Sequence, residues 1–247
     1  MTTRHDLDIA ASPTTDPRAR PSTFDNGRIG RLNAWFFDAF DRYINLISRR
    51  HKRHAFADIG AGTVLEIGAG VGANFDYLLP GTHLIAVEPN EAMHPRLIER
   101  ARDRDLDIDL VGARAEHIPV PDDSVDTVIC SLVLCTVSDP TRALAEICRV
   151  LRPGGTFRFV EHVAAHPVSP RRWIQTAIAR PWSWLFEGCQ LCRDTGALIE
   201  ASDLDANDIR TGRFDVSAFI PVNTVISGWA SKPCTDTPAT TSTAPRS

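Results

Sequence analysis

Apolar and polar positions change period repeatedly along this chain, and the changes mark its elements. Between Arg31 and Ala57, Trp35, Phe36, Ala39, Phe40, Tyr43, Ile44 and Ile47 recur at helical spacing, which predicts a helix or helix pair. Thr63–Ile67 is a short β-rich run bounded by glycines and reads as a buried strand. His83–Glu88, 108–112, 125–131 and 156–161 give four further strands of the same kind. Helices are predicted near 73–79, over 91–102 and from Asp139-Pro140 onward, where Leu144, Ile147 and Leu151 form a stripe. Pro80-Gly81 and Pro153-Gly154-Gly155 punctuate this part of the chain.

Strand and helix therefore alternate, which implies a parallel sheet with right-handed crossovers. Beyond it the pattern changes. Residues 170–187 hold Trp173, Trp182 and Trp184 around Pro181 and read as a helical cap, inserted over about 166–192. A helix near 193–201 and strands over 207–213 and 222–231 complete seven strands. One domain over 23–232 is expected, between disordered tails at 1–22 and 233–247, the second rich in Thr, Pro and Ser.

Composition adds exclusions. With 43% hydrophobic and 23% charged residues, 247 residues suffice for one domain with a sizeable core. A formal charge of −4 gives no case for nucleic acid. No apolar run reaches the roughly 18 residues of a membrane span, and 1–22 holds no signal-like segment, so a cytoplasmic protein without integral membrane contact is expected. Six cysteines in this length do not form a disulfide scaffold. Cys130, Cys135 and Cys148 sit in apolar runs, as small core residues do. Cys189-x-x-Cys192 has the spacing of a redox pair or of half a zinc site, but no second pair or paired histidines accompany it, so no metal is expected.

The chemistry begins at Gly68-Ala69-Gly70-Val71-Gly72-Ala73-Asn74, directly after the first strand. Alternate glycines allow a sharp turn and a close ligand approach, and a helix opening after Gly72 would aim its free N–H groups at that ligand. Gly68, Gly70 and Ala73 fit the dinucleotide pattern, with Glu88 about 20 residues on, so a nicotinamide-binding oxidoreductase is one reading of the loop. Glu66 before the loop and the extra Gly72 resemble instead the first motif of class I S-adenosylmethionine methyltransferases. Asp122-Asp123-Ser124-Val125-Asp126 and Leu151-Arg152-Pro153-Gly154-Gly155 strengthen that resemblance.

Ser131–Val137, Glu161-His162-Val163-Ala164-Ala165, the spacing from Trp182 through Leu185-Phe186-Glu187-Gly188-Cys189 to Arg193, and Gly228-Trp229-Ala230 are similar to the animal methyltransferase-like seven group. Those proteins are alkyl-thiol S-methyltransferases held at membranes. Against that group, residues 1–22 do not read as a hydrophobic anchor, so none is expected, and Cys192 stands where the group has threonine.

The resemblance implies a Rossmann-like α/β fold: a seven-stranded, mostly parallel sheet flanked by helices, with an N-terminal helix and a small cap. It implies S-adenosyl-L-methionine held by Glu66, Gly68, Ala69, Gly70, Gly72, Asn74, Glu88, Pro89, Asn90, Ala115, Glu116, Ser131 and Leu132. Arg114 replaces the aspartate usual for the adenine contact, leaving the Ala115 backbone N–H for that role. The expected partner is a small-molecule acceptor, a thiol ahead of an oxygen, nitrogen or carbon acceptor; a non-catalytic cofactor-binding protein is the other alternative. His162 is the candidate base or orienter, and Cys135 and Trp182 the candidate pocket wall. The sequence leaves the oligomeric state open.

Overall fold

A computed structural model describes residues 27–214 and 222–234. The seven predicted strands form one sheet: β1 (Thr63–Ile67), β2 (His83–Val87), β3 (Asp107–Val111), β4 (Val125–Ser131), β5 (Leu151–His162), β6 (Asp205–Arg213) and β7 (Thr224–Ser231). Their spatial order is β3-β2-β1-β4-β5-β7-β6. The first five pair in parallel, and β7 runs antiparallel between β5 and β6. The chain order reverses between β1 and β4, which places a crevice beyond the carboxyl ends of those strands.

Central strands are buried on both faces, as a helix-covered parallel sheet requires. Leu65, Ile67, Val128, Cys130, Phe157 and Phe159 face one core, under α3 (Pro140–Val150) and α5 (Thr195–Glu200). Val64, Leu84, Ala86, Ile129 and Val160 face the other, which also takes Ile47 and Phe56 from α1 (Gly27–Ala55) and its exit and Leu97 from α2 (His94–Asp103). A single α1 of 29 residues spans the predicted helix or pair. Arg158 pins its exit by donating to the Ala55 and Ala57 carbonyls, and His51 reaches the Arg213 carbonyl at 2.9 Å.

Two expectations change. The helix near 73–79 is only a 3₁₀ turn, Phe75–Tyr77. Gly72 has a positive φ over the Phe75 ring, Leu78 is already extended, and Pro80 follows, so too few residues remain to repay helix nucleation. Leu151 leaves the helical stripe to begin β5, which starts five residues before the predicted Thr156. Asp139 caps α3 as expected, accepting from the Arg142 N–H, and Pro140 takes the first turn. The cap is α4 (Pro170–Leu185), docked by Gln175: the side-chain oxygen accepts from Ala165 N–H at 2.8 Å. The predicted tails lie outside the described residues, apart from positions 233 and 234. Among the described residues no helix is long and apolar enough to cross a membrane.

Candidate active site

Gly68, Gly70 and Gly72 all have positive φ, and the loop they make closes against the end of β2. Gly68 N–H and Ala69 N–H donate to the Val87 carbonyl. The Gly70 N–H donates to Glu88 Oε2 at 2.8 Å, and the Asn90 N–H to Glu88 Oε1 at 2.7 Å. A Cβ on Gly68 would collide with a Val133 methyl, so the loop after β4 lies directly over the glycine loop.

Two carboxyl groups are buried here. Glu66 is fully buried; Oε1 accepts from Asn74 Nδ2 at 2.7 Å, while Oε2 has no partner among the described residues. Burial drives its pKa up to about 8, against the pull of the Asn74 hydrogen bond and the Lys52 charge. Lys52, also buried, is pushed down to about 8 by desolvation and donates to Asn45 Oδ1 at 2.7 Å. Burial raises Glu88 as well, opposed by its two backbone donors.

Glu187 is a site residue the expected set omits. It lies in the cap with φ 47°, accepts from Asn90 Nδ2 at 3.2 Å, and is raised to about 7 by burial and then by the Glu88 charge. The signal for it was its place in the Leu185–Cys189 stretch. Asn90 also donates to the Gly30 carbonyl at 3.0 Å, so one amide touches α1, the β2 exit and the cap.

Beyond β4 a second centre forms around sulfur. Leu132 takes a positive φ, and the turn after it is held by Glu161 at the end of β5. That carboxylate accepts from Val133 N–H at 2.9 Å, Leu134 N–H at 3.0 Å and Cys135 N–H at 3.3 Å. Arg193 grips the same turn through the Leu134 and Val137 carbonyls. The Gln190 N–H donates to the Cys135 carbonyl and so brings the cap alongside.

His162, Cys135 and Cys189 meet there, all buried. His162 Nε2 lies 2.8 Å from Cys189 Sγ, and Trp182 Nε1 donates to the same sulfur at 3.2 Å. The Cys135 thiol, the imidazole and the indole together bring Cys189 down to about 5 against its burial. Burial pushes Cys135 the other way. The Cys189-x-x-Cys192 pair does not act as a unit, since Cys192 lies beside Thr176 instead. His162 therefore addresses a cysteine of this chain through Nε2, and Cys189 is a residue that local spacing pointed at the wrong partner.

Of the expected adenine contacts, Ala115 is buried near the β3 exit, but Glu116 turns elsewhere. Its carboxylate accepts from Ser138 and Asp139 N–H at the start of α3. Ser131 and Leu132 lead into the sulfur centre, and Pro89 separates Glu88 from Asn90.

Residues 65–159, from β1 through most of β5, match the model of the methyltransferase domain family. The chain has the Rossmann-like fold of class I methyltransferases. The chain is 39% identical over 159 residues to human thiol S-methyltransferase TMT1A, an alignment covering 60% of this chain and 65% of that protein. The match therefore spans just under two thirds of the curated relative's length. A SAM-dependent methyltransferase and possible histamine N-methyltransferase of Thermotoga maritima shares the fold at TM-score 0.60 and 18% identity, over 83% of this chain and 98% of that one. The [4+2]-cyclase SpnF shares it too, at TM-score 0.57 and 19% identity, over 78% and 81%. The methyltransferase fold alone thus does not fix the reaction, and the residues of the site must.

Proposed function

We propose that this protein is an S-adenosyl-L-methionine-dependent methyltransferase acting on a small acceptor, with a thiol as the acceptor class. The observation that carries the reading is the buried, half-paired carboxyl of Glu66 beside a left-handed glycine loop and facing Glu88. An unpartnered buried oxygen is costly unless a donor arrives, and the cofactor's ammonium is such a donor. Each Glu88 oxygen takes one backbone donor and keeps a lone pair for a ribose hydroxyl. The cradle therefore fits S-adenosyl-L-methionine. Bound there, it supplies a methyl group on a positively charged sulfur.

What the chain does is hold and exclude. Glu66 and Asn74 fix the amino-acid end, Glu88 the ribose, and the Ala115 backbone and the turn at Ser131-Leu132 the remainder. The acceptor enters between that turn and the cap, where Trp182 shuts out water. An in-line displacement gains chiefly from such alignment, worth roughly 7–11 kcal/mol. A thiol is a few per cent ionised at neutral pH, so it needs less help from a base than an alcohol. The thiol assignment draws on the relatives' named activity and on the resemblance of Ser131–Val137 and of the Trp182–Arg193 spacing to that group.

The test offers one preparation matched thiol and phenol versions of the same small molecule, with methylated products quantified by mass. Methylthioether in excess is expected. Excess aryl ether would overturn the acceptor class, and no product together with no S-adenosylhomocysteine binding would overturn the enzyme.

A further inference from the structure

Three metal-ligating donors, two sulfurs and an imidazole nitrogen, converge where β4, β5 and the cap meet. Cys135 Sγ, His162 Nε2 and Cys189 Sγ lie within 4.8 Å of one another, and all three residues are buried. We propose that they form a three-ligand zinc site whose fourth position takes the sulfur of the acceptor. The second half of this statement rests on the thiol reading above; the first half does not.

The geometry supports it step by step. Ligand atoms around a tetrahedral zinc ion, at about 2.3 Å for sulfur and about 2.0–2.1 Å for nitrogen, stand roughly 3.5 Å apart. The present spread admits that arrangement once His162 and Cys189 part from 2.8 Å by less than about an ångström. Two thiolates and an imidazole are soft and borderline donors that select zinc over magnesium or calcium. The Trp182 indole N–H to Cys189 Sγ is the outer hydrogen bond that a thiolate ligand receives. The backbone is fixed beneath two of the ligands: Glu161 and Gln190 hold Cys135, and the Cys189 N–H donates to the Phe186 carbonyl. Among the described residues the donor set stops at three, the count of zinc sites that keep a position for substrate.

The chemistry balances without an oxidant. Zinc binding displaces the protons of Cys135 and Cys189 into solvent. The acceptor's S–H proton leaves likewise when its sulfur takes the fourth position. That sulfur's lone pair then forms the new S–CH₃ bond as the donor's sulfonium S–CH₃ bond breaks, and the thioether product, a weaker ligand, departs. No oxidation state changes. This differs from the sequence-based expectation of no metal, which weighed only the Cys189–Cys192 pair.

The experiment titrates the reduced, chelator-treated full chain with zinc, and with cobalt(II) as a spectroscopic stand-in. One equivalent is expected to bind, with the thiolate-to-cobalt charge-transfer band and the intense visible bands of a tetrahedral ion. C135S and C189S should each weaken binding by more than about tenfold. C192S should leave it unchanged. Binding of S-adenosylhomocysteine, measured in every variant, reports that the cofactor half is folded. Adding a small thiol to the cobalt form should shift the visible bands. Sub-stoichiometric binding, or binding that survives both C135S and C189S, overturns the zinc site; bands that ignore the thiol overturn the fourth-position role. Thiol methylation at full rate in excess chelator overturns the zinc proposal and leaves the methyltransferase reading standing. A well-formed cobalt site in a protein that methylates no thiol leaves the zinc site standing and overturns the thiol reading, and with it the fourth-position role.

Discussion

Glu66 and Lys52 set the residue-scale expectations. With its pKa near 8, Glu66 is largely protonated at pH 7 in the empty protein, and a bound ammonium calls for the carboxylate. Cofactor binding should therefore release a proton, and S-adenosylhomocysteine affinity should rise from about pH 6 to about pH 8 and then level off. Calorimetry in buffers of different ionisation heat checks this; a buffer-independent enthalpy would show Glu66 already ionised. Stability of the empty protein moves oppositely. The Glu66 contribution is complete below its ordinary 4.5 and is lost as pH climbs through about 8, while Lys52, depressed from 10.5 to about 8, favours the fold only above that range. The glycines divide just as sharply. Gly70→Ala meets Met93 Sδ at 3.7 Å and the Gly68 carbonyl oxygen at 3.9 Å, both ordinary contacts, and should cost about 1–2 kcal/mol for its left-handed φ. Gly68→Ala adds the Val133 collision, so thermal melts should show a larger loss, partly restored by Val133→Ala in the double variant. The Glu66–Asn74 and Glu88–Gly70 hydrogen bonds join residues 8 and 18 positions apart, close enough in sequence for one motif to suggest them together. Cys189 was not legible in this way: His162 stands 27 residues away, and a local motif supplied Cys192 as a decoy.

At the scale of elements, the turn after β4 is shaped by a carboxylate rather than by its own sequence. Glu161→Gln replaces an acceptor of three backbone N–H groups by an amide that can serve them only in part. A loss of about 1.5–3 kcal/mol is expected in urea unfolding, with faster hydrogen exchange at Val133, Leu134 and Cys135. Unchanged exchange at those amides would mean that Arg193 alone holds the turn. The strands were readable from apolar runs, since burial on both faces leaves little else in them. The 73–79 segment misled for the opposite reason: Phe75 and Leu78 supply the apolar spacing of a helix, but the glycine before and the proline after leave it no length. Leu151 is buried whether it ends α3 or begins β5, so burial alone could not assign it.

At the scale of the whole molecule the parallel sheet was legible from its succession of short apolar strands, although only the β2–β3 and β4–β5 crossovers carry an α-helix, α2 and α3. The insertion of β7 between β5 and β6 has no local signature, because it is settled by pairing across the full sheet. Surface aromatics are likewise a property of the assembled molecule. Trp35, Trp173 and Trp184 are 64%, 79% and 65% exposed, whereas Trp182 packs on Phe186 beside Cys189. Indole emission should therefore be red-shifted and largely open to acrylamide. Trp182→Phe should change it little, and an emission maximum typical of buried indoles would mean that another surface covers these side chains.

Asn90 carries a consequence for timing. Its backbone braces the carboxyl assigned to the ribose, and its side chain holds both α1 and the cap residue Glu187. Filling the cofactor cradle firms Glu88, hence Asn90, hence the wall against which the acceptor must lodge. Substrates should then arrive in a compulsory sequence, donor first, and products leave in the reverse sequence. In steady-state assays S-adenosylhomocysteine would compete with the donor but not with the acceptor, and Asn90→Ala would blur that pattern toward random entry.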